Sequence, residues 1–117
     1  MKLIRAIIRP DKAKDVLAKL REAGFPAVIT TDVSGRGRNL GVKIGDRYYN
    51  EVLKTLLLMV VKDEEKDKVV NIISDQAKSK SGSGFGSGKI FISQVVEVHT
   101  IDSGESLRFL STQKKYG

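Results

Sequence analysis

Lys54 to Val61, KTLLLMVV, constrains the fold more than any other stretch of this chain. Successive strand residues point to opposite faces, so a continuous apolar run demands cover on both sides of its sheet. The opening MKLIRAII makes a similar demand: Leu3, Arg5 and Ile7 fall on one face, and Ile4, Ala6 and Ile8 on the other. Two such strands at the centre of a sheet need two layers of cover, and the rest of the chain has to supply them or recruit them.

The segments between supply one layer. Ala13, Val16, Leu17 and Leu20 recur at helical spacing and predict an amphipathic helix over Lys12 to Ala23, with Pro10 and Asp11 as stop and cap before it and Gly24 as its stop. Ala27 to Val33 reads as a second strand. Asp63 is expected to cap a second helix running to Lys78, its stripe made by Val69, Ile72, Ile73 and Ala77. KIFISQVVEVHTI, from Lys89, reads as a fourth strand. The order β-α-β, long loop, β-α-β gives two split βαβ units: a ferredoxin-like α/β (α+β) sandwich, with one antiparallel sheet and both helices on one face. Residues 1–102 are expected to form this domain and 103–117 a tail. The second face would then be a large apolar patch. Its expected cover is further copies in a closed trimer, the alternative being the tail, through LRFL at Leu107 to Leu110.

Function is expected in Ser34 to Asn50, SGRGRNLGVKIGDRYYN, which shows no hydrophobic period. Gly35, Gly37, Gly41 and Gly45 are expected to permit positive φ and close approach, and Arg36, Arg38, Lys43 and Arg47 add charge suited to an anion. A second glycine-rich basic stretch, Ser79 to Gly88, ends at Lys89. It is not a Walker A loop, since Ser83 stands where the first glycine belongs and Ile90 where Ser/Thr belongs. GRGRNLG likewise lacks the G-x-G-x-x-G spacing. The two stretches are expected to lie by the same sheet edge as a nest for phosphates.

Other chemistries have little to stand on. The 117 residues contain no cysteine and one histidine, His99, in a strand pattern with no nucleophile beside it, so a catalytic role is not expected. A net charge of +7 admits an RNA-binding sheet, but that needs exposed aromatic residues on central strands, where Phe91 stands alone, so no nucleic-acid partner is expected. The N-terminus is too short and too quickly charged for a signal peptide, which gives a cytoplasmic expectation with no membrane insertion.

These residues carry a resemblance. MKLIRAIIRPDKAKDVLAKLREAGFPAVITTDVSGRGRNLG resembles the start of the PII nitrogen-regulatory signal-transduction proteins, GSGKIFIS at Gly86 to Ser93 their glycine-lysine loop and last core strand, and SGE at Ser103 to Glu105 their C-terminal motif. GFPA at Gly24 to Ala27, GRGR and KTLLLMVV are closest to the nitrogenase-linked branch of archaea and anaerobic bacteria. The resemblance implies a regulator, not an enzyme, that is a homotrimer or a mixed assembly with a related PII chain. Its clefts between subunits would bind ATP or ADP and, with Mg²⁺, 2-oxoglutarate. It implies nucleotide contacts from Gly35, Gly37, Arg38, Gly86, Ser87, Gly88 and Lys89, 2-oxoglutarate contacts from Asn39, Leu40 and Lys54, and a metal contact from Asn39. Arg36, Val42, Lys43, Asp46, Arg47, Tyr48 and Tyr49 would dock on a nitrogen-metabolism target, a nitrogenase component being the expected one. Departures fall at Ser87, in place of an aspartate, and at Ile29, Leu58, Thr100 and Asp102, where many members carry a threonine, a glutamate and two arginines near the nucleotide. A divergent sensor of another small anion or nucleotide is the alternative.

Overall fold

In the computed structural model, which describes residues 1–35, 42–44, 47–49, 52–78, 87–102 and 106–108, alternation along β1 (Lys2–Ile8) decides which side of the sheet is covered. Ile4, Ala6 and Ile8 are buried, whereas Leu3 and Ile7 are half-buried and Arg5 is exposed. Helix α1 (Pro10–Glu22) follows. Pro10 occupies the first helical position, where its fixed φ suits the helix and its missing N–H leaves nothing unsatisfied. That corrects the expected cap: Arg9 precedes the helix without a capping side chain, and Asp11 lies inside the first turn, accepting a bond from Arg9 Nε at 3.1 Å. Val16 and Leu20 are buried with Ala13 and Leu17 packed beside them, as their spacing predicts. Gly24, at φ +93°, ends the helix.

Strand β2 (Ile29–Gly35) starts two residues later than expected, because its ladder begins at Ile29 opposite Leu58 while Val28 packs into the core. The segment that lacked a period contains a short antiparallel ribbon, β3 (Val42–Ile44) and β4 (Arg47–Tyr49), with Val42 opposite Tyr49 and Ile44 opposite Arg47. β-branched and aromatic residues on either side of Gly45-Asp46 favour such a pair. Strand β5 (Val52–Val61) begins two residues before the apolar run.

A 3₁₀ turn (Asp63–Glu65) leads into α2 (Lys66–Ala77), where Val69, Ile73 and Ala77 are buried and Ile72 packs against them. Asp63 makes no side-chain cap. Its Oδ1 accepts from the Met1 ammonium at 2.9 Å, and this bond, aided by the charge of Lys2, holds the carboxyl below its ordinary pKa. The expected fourth strand is broken. β6 (Gly88–Gln94) stops where β1 begins, at the Lys2–Gln94 pair, and Val95 N–H donates to Met1 O at 3.1 Å. With no further partner in the sheet, the chain leaves to form a separate pair, β7 (Glu97–His99) with β8 (Ser106–Arg108). The described tail residues, Ser106–Arg108, thus pair with β7, and Phe109 and Leu110 of LRFL lie outside the described residues.

The main sheet runs β2-β5-β1-β6 with antiparallel neighbours throughout. Residues of β1, β5, α1 and α2 share one buried cluster, which places both helices on one face of a ferredoxin-like sandwich. No described helix is long and apolar enough to cross a membrane.

The other face has no such cover from described residues. Leu3 lies opposite Val60, Arg5 opposite Leu58 and Phe91, and Ile7 opposite Leu56 and Lys89, with Ile29 beyond Leu58. Val60 is 40% exposed, Phe91 49% and Ile29 69%, values far from those of the buried strand residues on the helix side.

Candidate functional site

The register fixes where the two glycine-rich basic stretches meet the sheet. Gly35 lies opposite Val52, and Gly88 opposite Ile8, so β2 ends and β6 begins at the end of the sheet where β1 finishes. The shared edge expected from sequence is not found. β2 and β6 are the two outer strands, three spacings apart, or about 14 Å. Antiparallel pairing explains the shared end, and the interposed β5 and β1 explain the separation.

Lys54 and Lys89 belong to this end. Lys54 pairs with Val33, one row beyond Leu56 and Ile7, and Lys89 pairs with Ile7, so both project from the uncovered face. They sit two strands apart, about 10 Å laterally. Lys54 is half-buried and engaged with a neighbour, whereas Lys89 is exposed. Beside Lys54 a groove of about 350 Å³ is lined by Arg9, Pro10, Asp11, Val52 and Leu53 as well. Arg9 is a cation that sequence reasoning missed. It directly follows the residues of β1 on the turn into α1, and its position beside Lys54 depends on a pairing between segments some 45 residues apart.

Gly35 and Gly88 have different reasons to be glycine. Gly35 is the last residue of β2, with no positive φ and nothing within 4 Å of the position a Cβ would take, so the expectation of a special backbone conformation there is not met. Gly88 has φ +124°, and a Cβ there would lie 2.0 Å from the Ile7 carbonyl oxygen. It is required by the close approach of β6 to β1 whether or not a phosphate comes near. Ser87, just before it, is half-buried and engaged with a neighbour.

Arg36, Gly37, Arg38, Asn39, Leu40, Asp46 and Gly86 lie outside the described residues. Val42, Lys43, Arg47, Tyr48 and Tyr49 lie on the β3-β4 ribbon. Of the departures, Ile29 and Leu58 are register partners on the uncovered face, and Thr100 and Asp102 are exposed beyond β7. His99 is exposed, with Nε2 3.4 Å from Glu97 Oε1. Phe91 lies on β6, an outer strand rather than a central one, which weakens the RNA reading further.

Residues 1–105 match the sequence profile of the family described as nitrogen regulatory protein P-II. The chain belongs to the P-II family. This P-II chain is 45% identical over 106 residues to "Nitrogen fixation nifHD region GlnB-like protein 1" of Methanothermococcus thermolithotrophicus, covering 91% of the chain and 98% of that protein. It is 42% identical over 105 residues to "Nitrogen fixation nifHD2 region GlnB-like protein 1" of Methanosarcina barkeri, covering 90% and 97%. "Nitrogen regulatory protein P-II 2" of Methanothermobacter thermautotrophicus is 46% identical over 110 residues, covering 91% and 93%. P-II proteins are regulatory signal transducers rather than enzymes, and they generally bind ATP or ADP and 2-oxoglutarate and form trimers.

Proposed function

We propose that this P-II chain is a cytoplasmic trimeric sensor of adenine nucleotide and 2-oxoglutarate that controls a nitrogen-metabolism target, nitrogenase being the expected one. The observation that carries this reading is that β2 ends at Gly35 and β6 begins at Gly88 at one end of the sheet but on opposite edges. In one copy these two strand ends stand three strand spacings apart, about 14 Å. A closed ring of copies brings the β2 edge of one against the β6 edge of the next, so each cleft receives one stretch from each neighbour.

In such a cleft Lys89 pairs with nucleotide phosphate, joined by Gly35, Gly37, Arg38, Gly86, Ser87 and Gly88. Lys54 pairs with a carboxylate of 2-oxoglutarate alongside Asn39 and Leu40. Lysine suits both anions as a mobile point charge. Among the described residues no group of three or more His, Asp or Glu is placed to hold a metal. Mg²⁺ is usually held through one or two protein groups, ligand phosphates and water rather than an all-protein cage. Asn39 is the residue assigned to it, and bound Mg²⁺ would supply charge that joins nucleotide to 2-oxoglutarate. Arg36, Val42, Lys43, Asp46, Arg47, Tyr48 and Tyr49 then present a surface whose shape depends on the ligands, and by linkage the target shifts effector affinity by the same factor. The names of the relatives from nifHD regions support a nitrogenase-type target.

Hydrogen exchange over residues 37–49, with and without MgATP and 2-oxoglutarate, tests the switch. Protection is expected to differ between ligand states. Identical protection in every state, with target binding indifferent to effectors, would count against it.

A further inference from the structure

The uncovered face holds one charge that the nucleotide and 2-oxoglutarate contacts do not use. Arg5 stands mid-strand on β1, an inner strand, with Leu58 on one side, Phe91 on the other, and Leu3 and Ile7 before and after it on the same face. It is exposed and makes no hydrogen bond or ion pair with another described residue. Its nearest charged neighbour on the face is Lys89, at a diagonal position about 7–8 Å away, and it is also a cation. Among the described residues of this face, on all four strands, there is no Asp or Glu.

If the face is covered by further copies of the chain, each copy brings another Arg5 and no described carboxylate. Taking charges out of water without partners is strongly unfavourable, and like charges brought together add to the penalty. Arginine cannot escape by losing its proton. A small oxyanion resolves the conflict, because each guanidinium offers a planar fork of N–H donors matched to two oxygens. A tetrahedral anion such as phosphate presents three equivalent oxygens to three such forks.

Building on the trimer reading above, we propose that the Arg5 side chains of three copies together bind one small tetrahedral oxyanion, of the phosphate or sulfate class, between the sheet faces. The site is incomplete in one copy. It is centred on Arg5, beside Leu58 and diagonal to Lys89 rather than on Lys89 itself, and it makes anion binding a condition of tight assembly.

Sedimentation equilibrium of the full chain tests this, in sodium MOPS and in sodium phosphate at matched ionic strength. Phosphate at about one hundred times its Kd should raise the trimer association constant about one hundredfold. Arg5→Met, which continues the apolar face, should trimerise equally in both buffers, and Arg5→Lys should keep a weakened response to phosphate. Replacing phosphate with ATP distinguishes the sources. An anion effect that acts through the nucleotide stretch disappears in Lys89→Ala and survives in Arg5→Met, and that outcome overturns the proposal. So does a wild-type trimer equally stable in both buffers, which leaves the trimer reading intact. A chain that is monomeric in both buffers overturns the trimer reading and this proposal with it.

Discussion

The two faces of the sheet are built from almost the same residue types and have different fates. On the helix side, Ile4, Ala6, Ile8, Leu57, Met59 and Val61 sit under α1 and α2 and are nearly inaccessible. On the other side, Leu3, Ile7, Leu56 and Leu58 are only half-buried, and Val60 and Phe91 are exposed. Hydrophobicity alone therefore does not say which side is the core. The difference lies in what each element can reach: the two helices span one layer, and under the proposed trimer the apolar second face makes its contacts outside the single copy. The first face secures the fold, and the second is available for assembly.

The largest expected effect tests that division. Leu57→Ala, at a site with 0% exposure, should lower unfolding stability by about 2–5 kcal/mol in urea titration, at every protein concentration. Leu58→Ala, its neighbour facing the other way, should act mainly through assembly, so its effect should fade on dilution. Equal, concentration-independent losses would erase the distinction between the faces.

Gly88→Ala comes next. The added methyl meets the Ile7 carbonyl and the residue must keep a positive φ, so a loss of at least about 1–3 kcal/mol is expected, with β6 the first strand to lose exchange protection. Gly35→Ala, in open space at an ordinary φ, should leave stability within about 0.5 kcal/mol of the parent chain. The pair separates a glycine needed by the fold from one whose use, if any, lies with a ligand.

Lys89→Ala sharpens the reading of the sheet end. Its side chain is exposed, so thermal unfolding should change little, while nucleotide affinity measured by calorimetry should fall by about 1.5–3 kcal/mol. An unchanged affinity would remove Lys89 from the site.

The smallest effect belongs to the opposite end of the sheet, where Met1, Lys2 and Asp63 meet. The folded-state pKa of Asp63 is lowered, chiefly by its bond from the Met1 ammonium, so its contribution is present above the ordinary carboxylate range and is lost as pH falls through the lowered value. Asp63→Asn should flatten the acid limb of the stability profile slightly and leave neither face of the sheet altered. An acid limb identical to that of the parent chain would show that the bond does not contribute to stability.

What can be read from sequence follows the range of the interactions. The stripe Val16, Leu20 in α1 and Val69, Ile73, Ala77 in α2 is legible because helical periodicity is local, and the alternation in β1 sorts its faces correctly. The fourth strand reads too long because what ends it is the point where antiparallel β1 begins, a fact about a partner strand rather than about QVVEVHTI. Asp63 reads as a cap for a similar reason: its partner, Met1, is 62 residues away. The β3-β4 ribbon is legible in principle, from VKI and RYY around Gly-Asp, but the glycine and charge content masks it. At the candidate site, Lys89 stands out from its glycine-rich motif and Lys54 only through the family resemblance, while Arg9 beside Lys54 and the separation of the two edges emerge only from strand order.

The most direct test of the proposed sensor is a calorimetric titration of 2-oxoglutarate into the chain with and without MgATP, alongside ATP and ADP alone. The account predicts nucleotide binding at one site per copy and 2-oxoglutarate binding that depends on MgATP, with both lost under conditions that dissociate the trimer. Binding of both ligands at undiminished affinity to a monomer, or 2-oxoglutarate binding indifferent to MgATP, would contradict it.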